Sequence, residues 1–196
     1  MLVKSFVRRL LKNKALGVIL RVFFGLFFDR RYLCGRHFEE SVAGWVWVLK
    51  GIWFQRILGF NRFVPWPVDP RLKISNFHNI SFHPDDLDNF QSPGCYFQNA
   101  DAIIRIGFHS PIGPNVGLIT SNHDSANPDK NLPGKDISIG DHCWIGMNAV
   151  VMPGVILGDH TIVGAGAVVT RSFPKGKCVI AGVPAKFIRE NNVKPA

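Results

Sequence analysis

The chain has few cysteines, few acidic residues and no long uninterrupted apolar stretch. Its four cysteines show no Cys-x-x-Cys pair, which argues against a disulfide scaffold or a zinc-ribbon site. We therefore expect reduced thiols and a cytoplasmic protein. The apolar stretches at 15–28 and 42–60 contain charges at Arg21 and at Lys50 and Arg56. Neither stretch supplies the roughly 18 to 20 charge-poor residues that a bilayer-spanning helix needs.

The scarcity of acidic residues leaves a formal net charge of +9, concentrated at one end of the chain. Residues 1–36 contain nine basic residues and one acidic residue, a net +8. Lys4, Arg8 and Lys12 recur at helical spacing, so their cations share one face of an amphipathic helix. We expect residues 1–60 to form a basic, aromatic-rich helical arm on an anionic membrane surface, at its inner face, and we expect no nucleic-acid partner. Alternatively, the arm helices pack on the remaining chain or across a subunit interface. A charge interrupts the first apolar stretch, so we expect no secretory signal.

An aliphatic residue recurs at every sixth position from residue 139 to residue 174. The six positions are Ile139, Ile145, Val151, Leu157, Val163 and Val169. This period matches neither a helix nor an alternating strand, and it is typical of a parallel β-helix with three hexads in each coil. Coils stack about 4.8 Å apart, so the aliphatic side chains fill a narrow interior. The same phase occurs at Ile106, Ile112 and Leu118. We therefore predict an all-β domain over residues 61–196, with a loop ejected at 121–138.

Four motifs of this region resemble those of one enzyme family. They are Ser-Asn-His-Asp at 121–124, Trp-Ile-Gly at 144–146, Val-Gly-Ala-Gly-Ala-Val-Val-Thr at 163–170 and Gly-Val-Pro-Ala-Lys at 182–186. Residues 94–190 resemble the hexapeptide-repeat acyltransferases of the sugar and polysaccharide O-acetyltransferase type. The resemblance implies a left-handed parallel β-helix, a homotrimer with active sites between subunits, acetyl-CoA as co-substrate and no metal. We also expect a short C-terminal capping helix at 187–190.

The resemblance implies transfer of an acetyl group to a hydroxyl of a sugar, in a surface polysaccharide or a lipid-linked saccharide. An alcohol needs a base to become a good nucleophile, and His123 occupies the position of the family's catalytic base. The expected acceptor-binding residues are Asp101, Asn99, Asp124 and Trp144. The expected coenzyme-binding residues are Met147, Ala165, Thr170, Arg171, Lys186 and Arg189. Met147 stands where the sugar enzymes often have a small hydroxyl residue, which leaves the oxyanion donor open.

Three other functions fit parts of the sequence. Nothing in it separates an oxygen nucleophile from a nitrogen nucleophile, so N-acetylation of an amino sugar or an antibiotic is a near alternative. His78 and His83 are five residues apart and raise the alternative of a zinc hydratase of the carbonic-anhydrase type, although no matching third histidine follows. A β-helix without catalytic function is the third. The acceptor and the position acylated are not specified by the sequence.

Overall fold

A computed structural model of the chain describes residues 14–192, which form parts of two compact units, residues 1–70 and residues 71–196. The boundary lies ten residues later than the predicted one, because the proline-rich segment before Arg71 belongs to the first unit. The predicted amphipathic face of Lys4, Arg8 and Lys12 lies outside the described residues.

Unit 1, residues 1–70, is helical where it is described. Its elements are α1 (Lys14–Phe24), a 3-10 turn (Arg30–Tyr32), α2 (Arg36–Glu39), α3 (Ala43–Gly51) and a π-helical segment (Ile52–Ile57). Glycines let α3 pack closely, since a Cβ on Gly44 would lie 2.7 Å from the Phe38 ring. No helix within residues 14–192 has the length and apolar character needed to cross a bilayer. Helices in this unit agree with the predicted helical arm, and the all-β prediction concerned the following domain.

Unit 2, residues 71–196, contains three sheets, and between Gly117 and Val169 successive strands enter the three sheets in rotation, as the hexads predict. Sheet A contains β1 (Lys73–Ile74), β3 (Tyr96–Gln98), β5 (Gly117–Ile119), β8 (Val150–Val151) and β11 (Val168–Val169). Sheet B contains β2 (Ile80–Ser81), β4 (Ile104–Ile106), β6 (Ile137–Ile139) and β9 (Ile156–Leu157). Sheet C contains β7 (Trp144–Ile145), β10 (Ile162–Val163), β12 (Cys178–Ala181) and β13 (Lys186–Glu190). All pairings are parallel except that of β12 with β13.

The strand register confirms the eighteen-residue coil. Ile139 pairs with Leu157, and Val151 pairs with Val169, each pair eighteen residues apart and buried. Ile106 pairs with Ile139, which is 33 residues away. The ejected loop therefore adds fifteen residues to one coil without disturbing the inward positions that follow it. Buried aliphatic side chains stacked in this way form the hydrophobic interior of the unit.

Two corners of the coil contain residues in the left-handed backbone region. At one, His109, His142 and His160 have φ between 52° and 59°, and the rings of His142 and His160 stack at 5.1 Å. At another, the side-chain amide nitrogen of Asn115 donates to the side-chain oxygen of Asn148 at 3.1 Å. Histidine and asparagine tolerate this conformation better than most residues. These side chains therefore have a structural role at the corners.

A 3-10 segment, Pro84–Gln91, covers the irregular first coil where the hexad phase is lost. The buried carboxylate of Asp86 accepts a hydrogen bond from the backbone N–H of His109 at 2.8 Å. The buried amide of Asn89 accepts from the N–H of Ile112 at 2.8 Å. These side chains satisfy backbone groups that a regular coil would satisfy.

One predicted element type and one predicted boundary are wrong. The expected capping helix at 187–190 is a strand, because the chain reverses after β12 and the backbone of β13 bonds to the open edge of sheet C. The loop ends at residue 136 rather than 138, since Ile137 and Ser138 belong to β6. The carboxylate of Asp136 marks that end by accepting from the N–H of Ile103 at 2.9 Å and from the Arg105 guanidinium at 2.7 Å.

Candidate active site

The loop that carries His123 is anchored at its root by one side chain from sheet A. The carbonyl oxygen of the Gln98 amide accepts from the backbone N–H groups of Thr120, at 3.0 Å, and Ser121, at 3.1 Å. Its amide nitrogen donates to the Ser121 hydroxyl at 2.7 Å. Three hydrogen bonds from a strand residue therefore fix the backbone two residues before His123. Sequence reasoning missed Gln98 because its partners are more than twenty residues away along the chain.

The loop itself is a short antiparallel hairpin. His123 pairs with Asn131, the Leu132 N–H donates to the Asn122 carbonyl at 2.7 Å, and the Asp124 N–H donates to the Lys130 carbonyl at 2.8 Å. The His123 side chain is exposed, and within residues 14–192 it forms no hydrogen bond or ion pair. The ring is therefore accessible to a proton donor from outside the chain.

The four predicted acceptor residues have different environments. The Asp124 carboxylate accepts from the N–H of Ala126 at 2.9 Å and so stabilises the loop. Asp101 and Trp144 are exposed, and each offers a side chain to a ligand. The prediction for Asn99 is wrong, since its fully buried amide bonds to the backbone of Asn76 and Asn79. Asn99 links two coils instead of facing an acceptor.

A cleft of about 260 Å³ lies beside the base of the loop. Its lining residues come from the loop and from the turns that follow β8 and β11 of sheet A, and they are Asn122, Leu132, Pro133, Lys135, Met152, Pro153 and Thr170. It brings the residue before His123 next to Thr170, one of the predicted coenzyme-binding residues. Met147 and Ala165 do not line this cleft.

Met147 and Ala165 lie one above the other on a different edge, as their eighteen-residue spacing predicts. The Gly166 N–H donates to the Met147 carbonyl at 2.9 Å, and a Cβ on Gly146 would lie 2.6 Å from the Ala165 nitrogen. The side chains of both residues are exposed. Within the described part of the chain, the backbone N–H groups of Met147 and Ala165 have no acceptor. This edge therefore offers two hydrogen-bond donors one coil apart; we name it the donor edge.

The predicted cations divide between two surfaces at the C-terminal end of the unit. Arg171 lines a cleft of about 830 Å³, and its guanidinium carbon lies 5.2 Å from the centre of the Phe173 ring. Lys175 and Lys177, which sequence reasoning missed, line the same cleft. Lys186 and Arg189 are exposed on β13, paired with Ala181 and Val179 of β12, and do not line it. Cations in and beside this cleft suit the phosphates of an anionic ligand.

The two histidines of the hydratase alternative have other contacts. The His78 ring packs against Phe77 at 3.9 Å, and the Nδ1 atom of His83 accepts from the N–H of Asp85 at 3.2 Å. Residues 14–192 contain no group of three or more histidine, cysteine or acidic side chains placed to hold a metal ion.

Cys143 occupies the small-residue position of a hexad, and burial raises the pKa of its thiol to about 11. A thiol with such a pKa stays protonated at neutral pH and is a poor nucleophile. No disulfide joins any of the four cysteines.

Comparisons with known proteins indicate which family the chain resembles. The bacterial transferase hexapeptide family (six repeats) matches residues 136–171. A Dictyostelium discoideum protein named provisionally as an acetyltransferase is 42% identical over 130 residues, which are 65% of this chain and 66% of that protein. The galactoside O-acetyltransferase of Escherichia coli K12 is 38% identical over 95 residues, 47% of this chain and 46% of that enzyme.

A solved galactoside acetyltransferase in complex with coenzyme A superposes with a TM-score of 0.50 at 28% identity, covering 65% of this chain and 62% of that one. The chain spans about half to two thirds of the length of the first curated relatives that it matches. The resemblance of this chain to hexapeptide-repeat acyltransferases is confirmed.

Proposed function

We propose that this chain, a hexapeptide-repeat protein similar to the acetyltransferases named above, transfers an acetyl group from acetyl-CoA to a hydroxyl of a saccharide. The observation that carries the proposal is the single ejected loop, which presents an exposed His123 on a rigid root held by Gln98. The likeness to a galactoside acetyltransferase complexed with coenzyme A supports the donor and the sugar acceptor. It also leads us to infer left-handed winding of the coil.

His123 acts as the general base of the transfer. Its imidazole takes the proton of the acceptor hydroxyl while the oxygen attacks the thioester carbonyl carbon. The tetrahedral intermediate then expels the coenzyme thiolate, the carbon–sulfur bond breaks, and the imidazolium returns its proton to the sulfur. No acyl-enzyme forms, so the surface needs only to hold both substrates at the correct distance.

The backbone N–H of Met147 stabilises the developing oxyanion. This N–H has no acceptor among the described residues, and the methionine side chain has no hydroxyl to offer. The N–H of Ala165, one coil away, then bonds to an amide of the pantetheine arm. Arg171, Lys186 and Arg189 neutralise the phosphates of the coenzyme at the C-terminal end.

The complete site forms between two subunits of a homotrimer. The cleft next to the loop contains Thr170, but it contains neither Met147 nor Ala165 of the same chain. We propose that His123 faces the donor edge of a neighbouring copy, and that the exposed Asp101 and Trp144 contact the saccharide there. A lipid-linked or surface polysaccharide as the natural acceptor is part of this proposal.

Replacement of His123 tests the proposed base. We expect His123→Ala to lower kcat with acetyl-CoA and a saccharide acceptor by about 100-fold or more, because the alcohol then lacks a base. Coenzyme binding, measured by calorimetry, and Tm should remain near those of the unmodified protein, since within residues 14–192 the ring forms no hydrogen bond, ion pair or aromatic contact. The assay follows thiol release over a panel of sugars, amino sugars and lipid-linked saccharides.

The matched control is His78→Ala, which removes another exposed imidazole of unit 2. Full activity of the control, together with loss in His123→Ala, supports the assignment. Undiminished turnover in His123→Ala contradicts it, and transfer to amino sugars alone would assign the chain to N-acetylation.

A further inference from the structure

Unit 1 exposes far more large apolar side chains than its size explains. Within the described residues, it exposes twelve of the nineteen large hydrophobic side chains that face solvent, although it supplies 57 of the 179 residues. Exposed apolar side chains at this density mark an interaction surface. Ten of them form two surfaces, one on and just after α1 and one after α3, and the other two, Val46 and Leu49, lie on α3 itself.

The first surface is the outward face of α1. Its members recur at intervals of one and three residues, which places them on one side of the helix, and they are Val18, Ile19, Val22 and Phe23, followed by Leu26. The opposite side packs inward, where Phe24 is buried against Trp45. Arg21 of α1 pairs with Glu39 at 2.8 Å. From Val18 to Leu26, the exposed side chains of the outward face are therefore apolar.

The second surface follows α3 and presents aromatic rings beside cations. Its exposed members are Trp53, Ile57, Leu58, Phe60 and Phe63. The side chain of Phe63 is 82% exposed at the tip of a turn closed by a hydrogen bond from the Val64 N–H to the Asn61 carbonyl at 3.0 Å. Arg62 precedes this ring directly. We name residues 61–64 the Phe63 turn.

The Phe63 turn is held in place from inside unit 1. The Arg56 guanidinium donates to the carbonyls of Arg62 and of Val64, the latter at 3.0 Å. The buried amide of Gln55 donates to the Trp66 carbonyl at 3.1 Å and accepts from the N–H of Val68 at 2.8 Å. These bonds fix the backbone of the turn, at which the Phe63 ring is exposed.

Charge identifies the partner of these surfaces. Unit 1 contains twelve basic and four acidic residues, a formal net charge of +8, whereas residues 71–196 contain eleven basic and ten acidic residues, a net +1. Such a charge repels a second copy of the same unit and attracts an anionic surface. Aromatic side chains next to arginines are typical of protein segments at the level of lipid headgroups.

We propose that unit 1 docks on an anionic lipid bilayer, with Phe63, Trp53 and the outward face of α1 inserted among the lipid headgroups. The inference is independent of the acetyl-transfer proposal. It requires surface insertion only, and no helix in the described part of the chain is long and apolar enough to span a bilayer.

Vesicle sedimentation with the full chain tests the docking. We expect binding to vesicles of phosphatidylcholine mixed with phosphatidylglycerol, and weaker binding to phosphatidylcholine alone, since the anionic lipid supplies the attraction. High salt should reduce the binding without abolishing it, because the apolar contribution is not screened. Phe63→Ser should lower the partition coefficient about tenfold, equivalent to about 1.4 kcal/mol, and Trp53→Ser should act similarly.

The matched control is Ile188→Ser in β13, where the side chain is 57% exposed against 55% for Trp53. This control should bind as the unmodified protein does, and Phe63→Trp should retain binding. Equal partitioning of Phe63→Ser and the unmodified chain would overturn the proposal. The proposal would also be overturned if the unmodified chain bound no vesicles and Phe63→Ser had a different mass from it by analytical ultracentrifugation. That result would assign these surfaces to contacts between copies.

Discussion

Gln98 shows how one side chain can determine the position of a distant catalytic group. Its carbonyl oxygen accepts from two consecutive backbone N–H groups at the root of the loop, and its nitrogen donates to the Ser121 hydroxyl. The exposed side chain of His123 forms no hydrogen bond or ion pair within the described chain. We therefore infer that Gln98 is a positioning residue, acting on the reaction through the backbone.

Removal of the Gln98 amide should reduce turnover more than stability. We expect Gln98→Ala to lower kcat about tenfold or more, because a loosened root misplaces the imidazole, while KM for acetyl-CoA changes little. Gln98→Glu keeps the acceptor oxygens for both N–H groups and should restore most of kcat. Steady-state kinetics measures kcat and KM of both variants, and Tm serves as the control for stability. A proportional loss of kcat and Tm in both variants would indicate a purely structural role.

Single residues were the least predictable level of the site. The motif around His123 identified the exposed imidazole, but no spacing distinguished Asn99 from Gln98, which are neighbours in sequence. Asn99 points inward and bonds between coils, whereas Gln98 points outward to the loop. The difference depends on which side chains of this coil point inward and which point outward. The coil is irregular, since Phe97 pairs with Leu118, 21 positions further along the chain. The regular period of eighteen could not supply that register.

At the level of elements, the glycine of the Trp-Ile-Gly motif sets the distance between coils. A Cβ on Gly146 would lie 2.6 Å from the Ala165 nitrogen, closer than real contacts allow, so only glycine permits the two coils to stack here. By contrast, a Cβ on Gly117 would meet the Val150 side chain at 3.6 Å, an ordinary contact. The two positions form a matched pair within the same unit.

Gly146→Ala should destabilise the protein, and Gly117→Ala should not. We expect a loss of about 1 to 3 kcal/mol for Gly146→Ala, because the methyl group forces two coils apart. Gly117→Ala should be neutral or slightly stabilising, since alanine restricts the unfolded chain. Chemical denaturation followed by circular dichroism measures both. Equal stabilities for the two variants would show that the coils can separate at no cost.

Elements of the regular coil were predictable because a six-residue period with small residues at fixed places is incompatible with other structures. The secondary structure of residues 187–190, near the end of the chain, was not predictable in this way. Residues 187–190 contain aromatic, aliphatic and charged residues that suit either a helix or a strand. The available edge of sheet C decides for β13, since backbone groups there need partners. That edge exists only once the coil has formed.

At the level of the whole molecule, the proposed trimer divides the catalytic groups between chains. His123 would come from one copy, and the donor edge of Met147 and Ala165 from the next. Two variants, each defective in one half of the site, should then complement each other. The sequence alone could not show this, because symmetry is not encoded in any spacing along one chain.

A mixture of His123→Ala and Ala165→Trp protomers tests the shared site. Each variant alone should be inactive, since one lacks the base and the other fills the donor edge. After unfolding and refolding together in equal amounts, about a quarter of the unmodified activity should return, because random assembly pairs an intact loop with an intact edge at that frequency. Activity no higher than that of the parents would place both groups of a site in one protomer.

The loop ejected between Ile119 and Ile137 has a consequence for how such a chain can vary in length through evolution. Fifteen residues inserted between Ile119 and Ile137 leave Ile106 above Ile139 as though nothing intervened. One residue inserted within a strand would instead turn the following inward side chains outward. We therefore expect length variation to be tolerated at the corners, where an insertion leaves the register of the other coils unchanged.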